Sequence, residues 1–373
     1  MQLTPLVGVA ALALALACRP GEPTPVPVGF SVYEIPDATR QYQANGRQVP
    51  RPQRLWVWYP AASSSGASMR LGDYLSEPGS LEEPGSAAAV SEYRERFERG
   101  WDVTLEDADL AQLLDRPVSA GAARDPASGR HPAVLLEVGL NAPAYMYTGL
   151  AEDLAARGFV VASLASFGHG DGQRLQFDTA GIATQVADLE HALRSLQDLP
   201  YVDSDRLSIG GWSVGALSAL LVASRNSERL RAFVSIDGAA GYEYGAELAQ
   251  EFAFVAGCFT IPFLHLTGTM PGRFRVAKGR EIYEALPGEN AFWSTVSGLN
   301  HADFTSYGGI RSPLFAHRPL PEQEMVLEGS RQLERIVGAF LERYTGGQAS
   351  EWNDLLLREP VEQLGEGDEE TCR

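Results

Sequence analysis

The chain has 373 residues, 45% of them apolar, which is enough to bury one large core or two ordinary ones. Its 48 acidic and 30 basic residues give a formal charge of −18. That balance argues against nucleic acid as a partner and for an acidic, solvated surface.

Leu6 to Ala17 is apolar without interruption. The run is shorter than the roughly 20 residues of a bilayer span and suits the apolar core of an export signal. Ala15-Leu16-Ala17 stands before Cys18, an arrangement similar to a bacterial lipoprotein cleavage site, where the cysteine becomes lipidated. No Lys or Arg precedes the run, and Ala15 and Leu16 invert the usual order, so ordinary cleavage after Ala17 stays open. The expectation is a signal peptide over residues 1–17 and an exported protein, either held at the cell envelope through a lipidated Cys18 or free in the periplasm or outside. Residues 18–28, with RPGEPTPVPV from Arg19, read as a Pro-rich extended tether. Cys258 and Cys372 are then the two remaining cysteines, a disulfide pair or two free thiols.

Gly29 to Glu34 and Arg54 to Tyr59 read as the first two strands of a domain spanning residues 29–345. A helical insertion runs from about 69 to 115. In it Val90, Tyr93, Phe97 and Trp101 share one helical face, and a second helix covers Leu105 to Leu114. The apolar face either lines an acyl pocket or packs on the body. Ala133 to Val138 is the third strand, followed by Gly139-Leu140-Asn141 and a helix from about Tyr147 to Arg157. Phe159 to Leu164 is the fourth, ending in the glycine-rich turn Phe167–Gly172. That turn lacks the register of a phosphate loop. Ala180 to Leu199 is a long helix with Ile182, Val186, Leu189, Leu193 and Leu196 on one face.

The stretch RLSIGGWSVGALSALLVA, Arg206 to Ala223, combines a short apolar strand, a G-x-S-x-G turn and a helix of small apolar residues. This succession is the nucleophile elbow of the α/β-hydrolase fold. Ser213 needs a turn tight enough to project its Oγ above the sheet, and a side chain at 211 or 215 would collide with the neighbouring strand or helix. The N–H of Val214 is left free at the helix start, where it can stabilise an oxyanion. Ala232 to Ile236, Pro262 to Leu266 and Ala291 to Val296 complete eight strands, and a closing helix runs from about Pro321 to Tyr344. Strands alternate with helices, so the expected architecture is α/β, a mostly parallel eight-stranded sheet with helices on both faces. Residues 346–373 read as an acidic C-terminal tail.

A serine nucleophile needs a base and an orienting carboxylate, in the chain order Ser, acid, His. Of the six histidines only His301 and His317 follow every strand, and His301 lies in a Gly/Asn loop directly after the eighth. His265 inside a strand and His191 inside a helix read as structural, and His169 reads as a loop histidine that either reaches the site or has no role. No Asp occurs between Asp237 and Asp303, and Asp237 closes the sixth strand in SIDGA. Asp237 is the expected acid and Glu289 its rival. The loop after the third strand places the N–H of Leu140 as the second oxyanion donor.

RLWVWYP, LLEVGLNAPAYMYTGLAEDLAARGFVVA, VDSDRLSIGGWSVGA, FVSIDGA and VSGLNHADF together resemble the platelet-activating-factor acetylhydrolase group of isoform-II type and its bacterial dienelactone-hydrolase-like relatives. The resemblance runs from about Phe30 to Phe304. In that family the acid follows the sixth strand, and the histidine loop leads into an Asp-Phe pair, as at Asp303-Phe304. It implies Ser213, Asp237 and His301 as triad, with Leu140 and Val214 as backbone oxyanion donors. This chain departs from the family at Val138, where a histidine is usual, at Ala216, and in the 69–115 insertion.

The implied activity is hydrolysis of carboxylic esters through an acyl-enzyme, with no metal and no organic cofactor. The implied substrates are uncharged or lipid-like esters with short acyl groups, phospholipids of the platelet-activating-factor type among them. Two alternatives stand beside it, a hydrolase-fold envelope binding protein without catalysis and a polyester or cutinase-like hydrolase.

Overall fold

The run from His131 to Glu137 shows why the sheet lies in the middle of the molecule. Ala133 and Leu135 join the apolar core on one face, and Val134 and Leu136 the core on the other. Successive side chains of a strand point to opposite faces, so a strand apolar at every position requires cover on both. The structure, a computed structural model, describes residues 26–77, 87–252, 254, 259–268, 277–286, 290–314, 323–346 and 350–364.

In chain order the strands are β1 (Val28–Glu34), β2 (Asp37–Ala44), β3 (Arg47–Arg51), β4 (Arg54–Pro60), β5 (Ser68–Arg70), β6 (Pro117–Ala122), β7 (His131–Glu137), β8 (Val160–Leu164), β9 (Val202–Trp212), β10 (Leu230–Ile236), β11 (Phe263–Gly268), β12 (Ala291–Val296) and β13 (Val361–Gln363). The helices are α1 (Leu71–Leu75), α2 (Ala87–Trp101), α3 (Asp107–Leu114), α4 (Thr148–Ala156), α5 (Thr179–Gln197), α6 (Val214–Arg225), α7 (Glu243–Glu251), α8 (Ala277–Glu284), α9 (Ser306–Leu314), α10 (Gln323–Tyr344) and α11 (Ser350–Arg358).

The sheet order is β13-β12-β11-β10-β9-β7-β8-β4-β1-β6-β5. From β12 to β8 neighbouring strands run parallel, and β13 and β4 join that block antiparallel. α5 and α6 cover one face through Ile182, Leu189, Leu217 and Leu221. α4 and α10 cover the other through Leu154, Ile336 and Phe340.

All eight expected strands are present, but the sheet has eleven. The additions, β5, β6 and β13, sit at its two edges, and β5 and β13 are three residues each, too short to carry an apolar alternation. The hairpin of β2 and β3 is a further addition to the expected elements. Its turn is Asn45-Gly46, both with positive φ (49° and 74°), the strongest short hairpin signal. Arg51, at the end of β3, is buried. It donates to both oxygens of Asp188 at 2.6 Å and to the Gly168 and Phe167 carbonyls at 2.9 and 2.7 Å, which pins the glycine-rich turn.

The two expected boundaries of the body move outward. Val26 already donates to the Ala156 carbonyl at 3.1 Å and Val28 is buried, so residues 26–28 belong to the body and not to the tether. Residues 350–364, expected in the tail, fold back as α11 and β13. Trp352 explains the return. It is 1% exposed and packs edge-on against Phe292 at 5.0 Å and Phe340 at 5.3 Å. Its burial outweighs the acidic character of the segment. The expected signal segment, Cys18, Cys258, His317, Glu289, Cys372 and residues 365–373 lie outside the described residues. No helix among the described residues is long and apolar enough to cross a membrane.

The insertion contains the two expected helices, α2 and α3, framed by β5 and β6. Tyr93 and Phe97 of α2 pack against Tyr145 and Tyr307, with ring centroids 5.4 to 5.6 Å apart. The apolar face therefore packs on the body, and the helix edge carrying Arg96, Arg99 and Gly100 reaches the cleft described next.

Candidate active site

Ser213 stands between β9 and α6 with φ 58° and ψ −126°. A non-glycine residue held at positive φ is strained, and such strain persists only where the surroundings enforce it. Here Ser213 N–H donates to the Ile236 carbonyl at 3.2 Å, and the Ala239 N–H donates to the Ser213 carbonyl at 2.8 Å. The flanking glycines make room for the turn. A Cβ on Gly211 would lie 2.6 Å from the Gly215 backbone, and one on Gly215 would lie 2.2 Å from the Val138 carbonyl oxygen.

Asp237 follows β10, also at positive φ (41°), and its N–H donates to the Leu266 carbonyl at 2.8 Å. Its side chain is buried. The Tyr242 hydroxyl donates to Oδ1 at 2.7 Å and the Thr267 hydroxyl to the same oxygen at 3.4 Å. Oδ2 accepts from His301 Nδ1. Burial alone would raise the Asp237 carboxyl. The bond and charge of His301 and the Tyr242 hydroxyl outweigh it and hold the group below its ordinary value.

His301 begins a 3₁₀ turn, His301–Phe304, after β12. The Asn300 side chain accepts from the Ala302 and Asp303 N–H groups at 2.9 and 3.2 Å, and the Asp303 carboxylate accepts from Asn300 N–H at 2.9 Å. This reciprocal cap fixes the turn and gives Asp303 its place. His301 Nε2 lies 3.0 Å from Ser213 Oγ. With Nδ1–H committed to the carboxylate, Nε2 presents its lone pair to the serine hydroxyl. The structure thus brings Ser213, His301 and Asp237 into one hydrogen-bonded chain from β9, β10 and β12.

The remaining wall is the loop after β7. Its Ala142 N–H donates to the Gly139 carbonyl at 2.9 Å, and Asn141 takes positive φ (55°). Asn141 is clamped on both sides, exchanging two hydrogen bonds with the Leu175 backbone at 2.8 and 2.9 Å and accepting at its carbonyl from Arg96 Nη2 at 2.6 Å. Among the described residues neither Leu140 N–H nor Val214 N–H has an acceptor within the chain. Two free donors beside a serine hydroxyl are what an oxyanion requires.

Beneath this loop Glu137 is fully buried, and burial pushes its carboxyl well up. Gln185 Nε2 donates to its Oε1 at 2.8 Å and to the Val138 carbonyl at 3.2 Å, while Ser218 donates to Gln185 Oε1 at 2.8 Å. The loop and the elbow helix are tied to one polar network.

The site opens into a cleft of about 500 Å³, lined by Arg99, Met146, Trp212, Tyr242, Leu299 and His301 among others. The residues missed in the sequence are Trp212, Tyr242, Arg96 and Arg99. Trp212 was readable as the residue before the nucleophile. The two arginines carry no local signal, because only the packing of α2 brings them to the cleft. The histidines set aside are structural in the fold: His265 bonds Ser235 Oγ at 2.8 Å, His191 the Ile35 carbonyl at 2.9 Å and His169 Thr184 Oγ1 at 3.2 Å. Among the described residues no group of three His, Cys, Asp or Glu side chains is arranged to hold a metal ion.

Residues 130–257 match the family model described as serine aminopeptidase, S33, a span that takes in Ser213 and Asp237 and ends before His301. Among solved structures the chain is similar to a ferulic acid esterase from Streptomyces cinnamoneus, 22% identical, with a TM-score of 0.62 over 94% of this chain and 98% of that one. The chain has the α/β-hydrolase fold. No curated protein matches it.

Proposed function

We propose that the chain is a serine hydrolase of carboxylic esters. The observation that carries this reading is the unbroken contact from Asp237 through His301 to Ser213 Oγ, with two free N–H donors alongside. In the proposed reaction His301 Nε2 takes the proton of Ser213 as Oγ bonds to the ester carbonyl carbon. The negative charge that develops on the carbonyl oxygen is met by the N–H groups of Leu140 and Val214. Collapse breaks the bond to the alcohol oxygen, which leaves with the proton from His301. Water then attacks the acyl-serine with His301 again as base, releasing the acid and restoring Ser213. Asp237 stays ionised throughout and holds the imidazole in the productive tautomer.

The family model carries the name of an aminopeptidase and the structural neighbour that of an esterase. The cleft favours the second chemistry. A peptide amine seeks a free carboxylate, and the carboxylate lining this cleft, Asp237, is already bonded to His301, Tyr242 and Thr267. The substrates proposed are short-acyl or lipid-like esters, with phospholipids of the platelet-activating-factor type as a finer possibility supported by the acid's position after β10. The test is labelling with a fluorophosphonate probe together with a panel of nitrophenyl esters from acetate to palmitate. Labelling lost in Ser213→Ala and turnover of the short esters support the reading. A wild-type protein inert to both is instead a binding protein on a hydrolase fold.

Export is a separate proposal, supported by the apolar run Leu6–Ala17 before Cys18. Mass spectrometry of the protein from its host is expected to find Cys18 at the N-terminus, carrying acyl chains. An intact Met1 rejects export, and an unmodified Cys18 rejects the anchor alone.

A further inference from the structure

Two arginines of α2 reach the cleft, and their circumstances differ. Arg96 is spoken for. Its Nε and Nη2 donate to Glu92 at 3.1 and 2.7 Å, and Nη2 also donates to the Asn141 carbonyl at 2.6 Å. Its charge is balanced and its role is to hold the loop that carries Leu140. Arg99, one turn further along the same helix, is exposed and lines the cleft. Among the described residues no carboxylate forms an ion pair with it, although the chain as a whole carries a formal charge of −18.

Arg96 and Asp237, the other Arg and Asp lining the cleft among the described residues, are both engaged, which leaves Arg99 open to a ligand. Glu92 is engaged by Arg96 and lies 3.9 Å from Arg174. The oxygens of Asp237 are taken by His301, Tyr242 and Thr267. A guanidinium facing a concave space offers paired N–H donors to a carboxylate or a phosphate.

We propose that Arg99 is a specificity-determining residue that recognises an anionic group on the substrate, so that the preferred esters carry a carboxylate or a phosphate besides the ester itself. This rests on the ester-hydrolase reading above. It moves that reading from esters in general to charged ones, away from the uncharged esters expected from the sequence. It also gives the insertion a function, because α2 delivers both the loop clamp and the recognition group.

The test pairs phenyl acetate with 4-acetoxybenzoate, and with 4-acetoxyphenyl phosphate as the phosphate arm, so that the two anions are distinguished. The readout is the ratio of kcat/KM for the charged ester to that for the neutral one. Arg99→Ala is expected to lower that ratio about tenfold, through KM, and Arg99→Lys to restore part of it. Raising ionic strength is expected to lower the ratio in the wild type and leave it level in Arg99→Ala. A ratio that Arg99→Ala does not change overturns the proposal while leaving the esterase reading intact. Binding keeps the two separable. Titration of 4-hydroxybenzoate against 4-hydroxybenzamide into Ser213→Ala protein is expected to favour the acid, and a second substitution, Arg99→Ala, to remove the preference. A wild type that cleaves no ester yet keeps this preference rejects the esterase and retains the anion site. Equal binding of acid and amide rejects the anion site.

Discussion

The indole of Trp212 lies stacked on the imidazole of His301, with ring centroids 4.7 Å apart, and its Nε1–H donates to the His301 carbonyl at 2.9 Å. The residue before Ser213 thus holds His301 by ring face and by backbone at once. The same indole leaves no room opposite, since a Cβ on Gly139 would lie 2.7 Å from it. Trp212→Phe keeps a ring but loses the N–H donor, and is expected to lower kcat by about tenfold, with Trp212→Ala worse. The check is kcat for both variants on a short nitrophenyl ester. Equal, small effects would mean that the stack does not position the base.

Ser213→Ala is expected to keep the fold and lower kcat by on the order of 10⁶, the loss found when a triad that acts as a unit is broken at its nucleophile. Circular dichroism and active-site labelling report the two halves of that statement. Retention of a tenth of wild-type turnover would exclude Ser213 as nucleophile.

Asp237→Asn tests the acid. The amide can reverse the tautomer of His301, so kcat is expected to fall by roughly 10⁴. Tyr242→Phe removes one of the donors to the same carboxylate and is expected to cost about tenfold or less, because His301 and Thr267 remain. The carboxylate is held below its ordinary value, so its contribution to stability is present above the unfolded value and lost as the pH falls through the folded one. Asp237→Asn should accordingly unfold less steeply on acidification. A near-normal kcat in this variant would move the role to another acid, with Glu289 the first to substitute.

Asp188 accepts from Arg51 and Arg40, and the Arg51 and Asp188 side chains are each 1% exposed. Removing one member of a buried pair strands the other, at a cost of about 3–5 kcal/mol. Asp188→Ala is therefore expected to lower Tm sharply, whereas Arg51→Met with Asp188→Leu together should cost far less. Thermal unfolding of the single and double variants decides it. Equal losses would mean that the pair is not the source of the effect.

Glu334 on α10 gives a pH signature. Burial, and after it the like charge of Asp153, push its carboxyl up to about 7 from an ordinary 4.5. Between those values the unfolded chain has released the proton and the native state has not, so stability falls as the pH rises across the window. Glu334→Gln is expected to raise Tm above about pH 7 and to change it little below about pH 4.5. A shift of the same size at both ends would mean an ordinary carboxyl.

What could be read beforehand followed from local rules with one physical solution each. The elbow was legible because only glycine tolerates positions 211 and 215, and His301 because a base must arrive after the last parallel strand. Asp237 was legible by the lack of any Asp in the stretch that follows. The edge strands were not. β5 gains its hydrogen bonds from β6, 50 residues away in the chain, and nothing in Ser68-Met69-Arg70 announces that partner. The return of α11 was hidden for another reason. Trp352 sits among acidic residues, and composition averaged over the segment outvoted the single ring whose burial decides the matter. Arg96 and Arg99 belong to the same class, since their place at the site depends on where a whole helix docks.

β13 has a bearing on how copies of this protein behave toward one another. β13 pairs antiparallel with Phe292 to Ser294 of β12, occupying the backbone groups on that side. With residues 350–364 clipped away, a ribbon containing Phe292 and Trp293 would lie bare along one margin, open to the same margin of a second molecule. Three residues near the C-terminus therefore serve as a selvage that keeps the sheet from being extended by a neighbour. Removal of the segment after α10 is expected to open that margin to strand pairing with a second molecule.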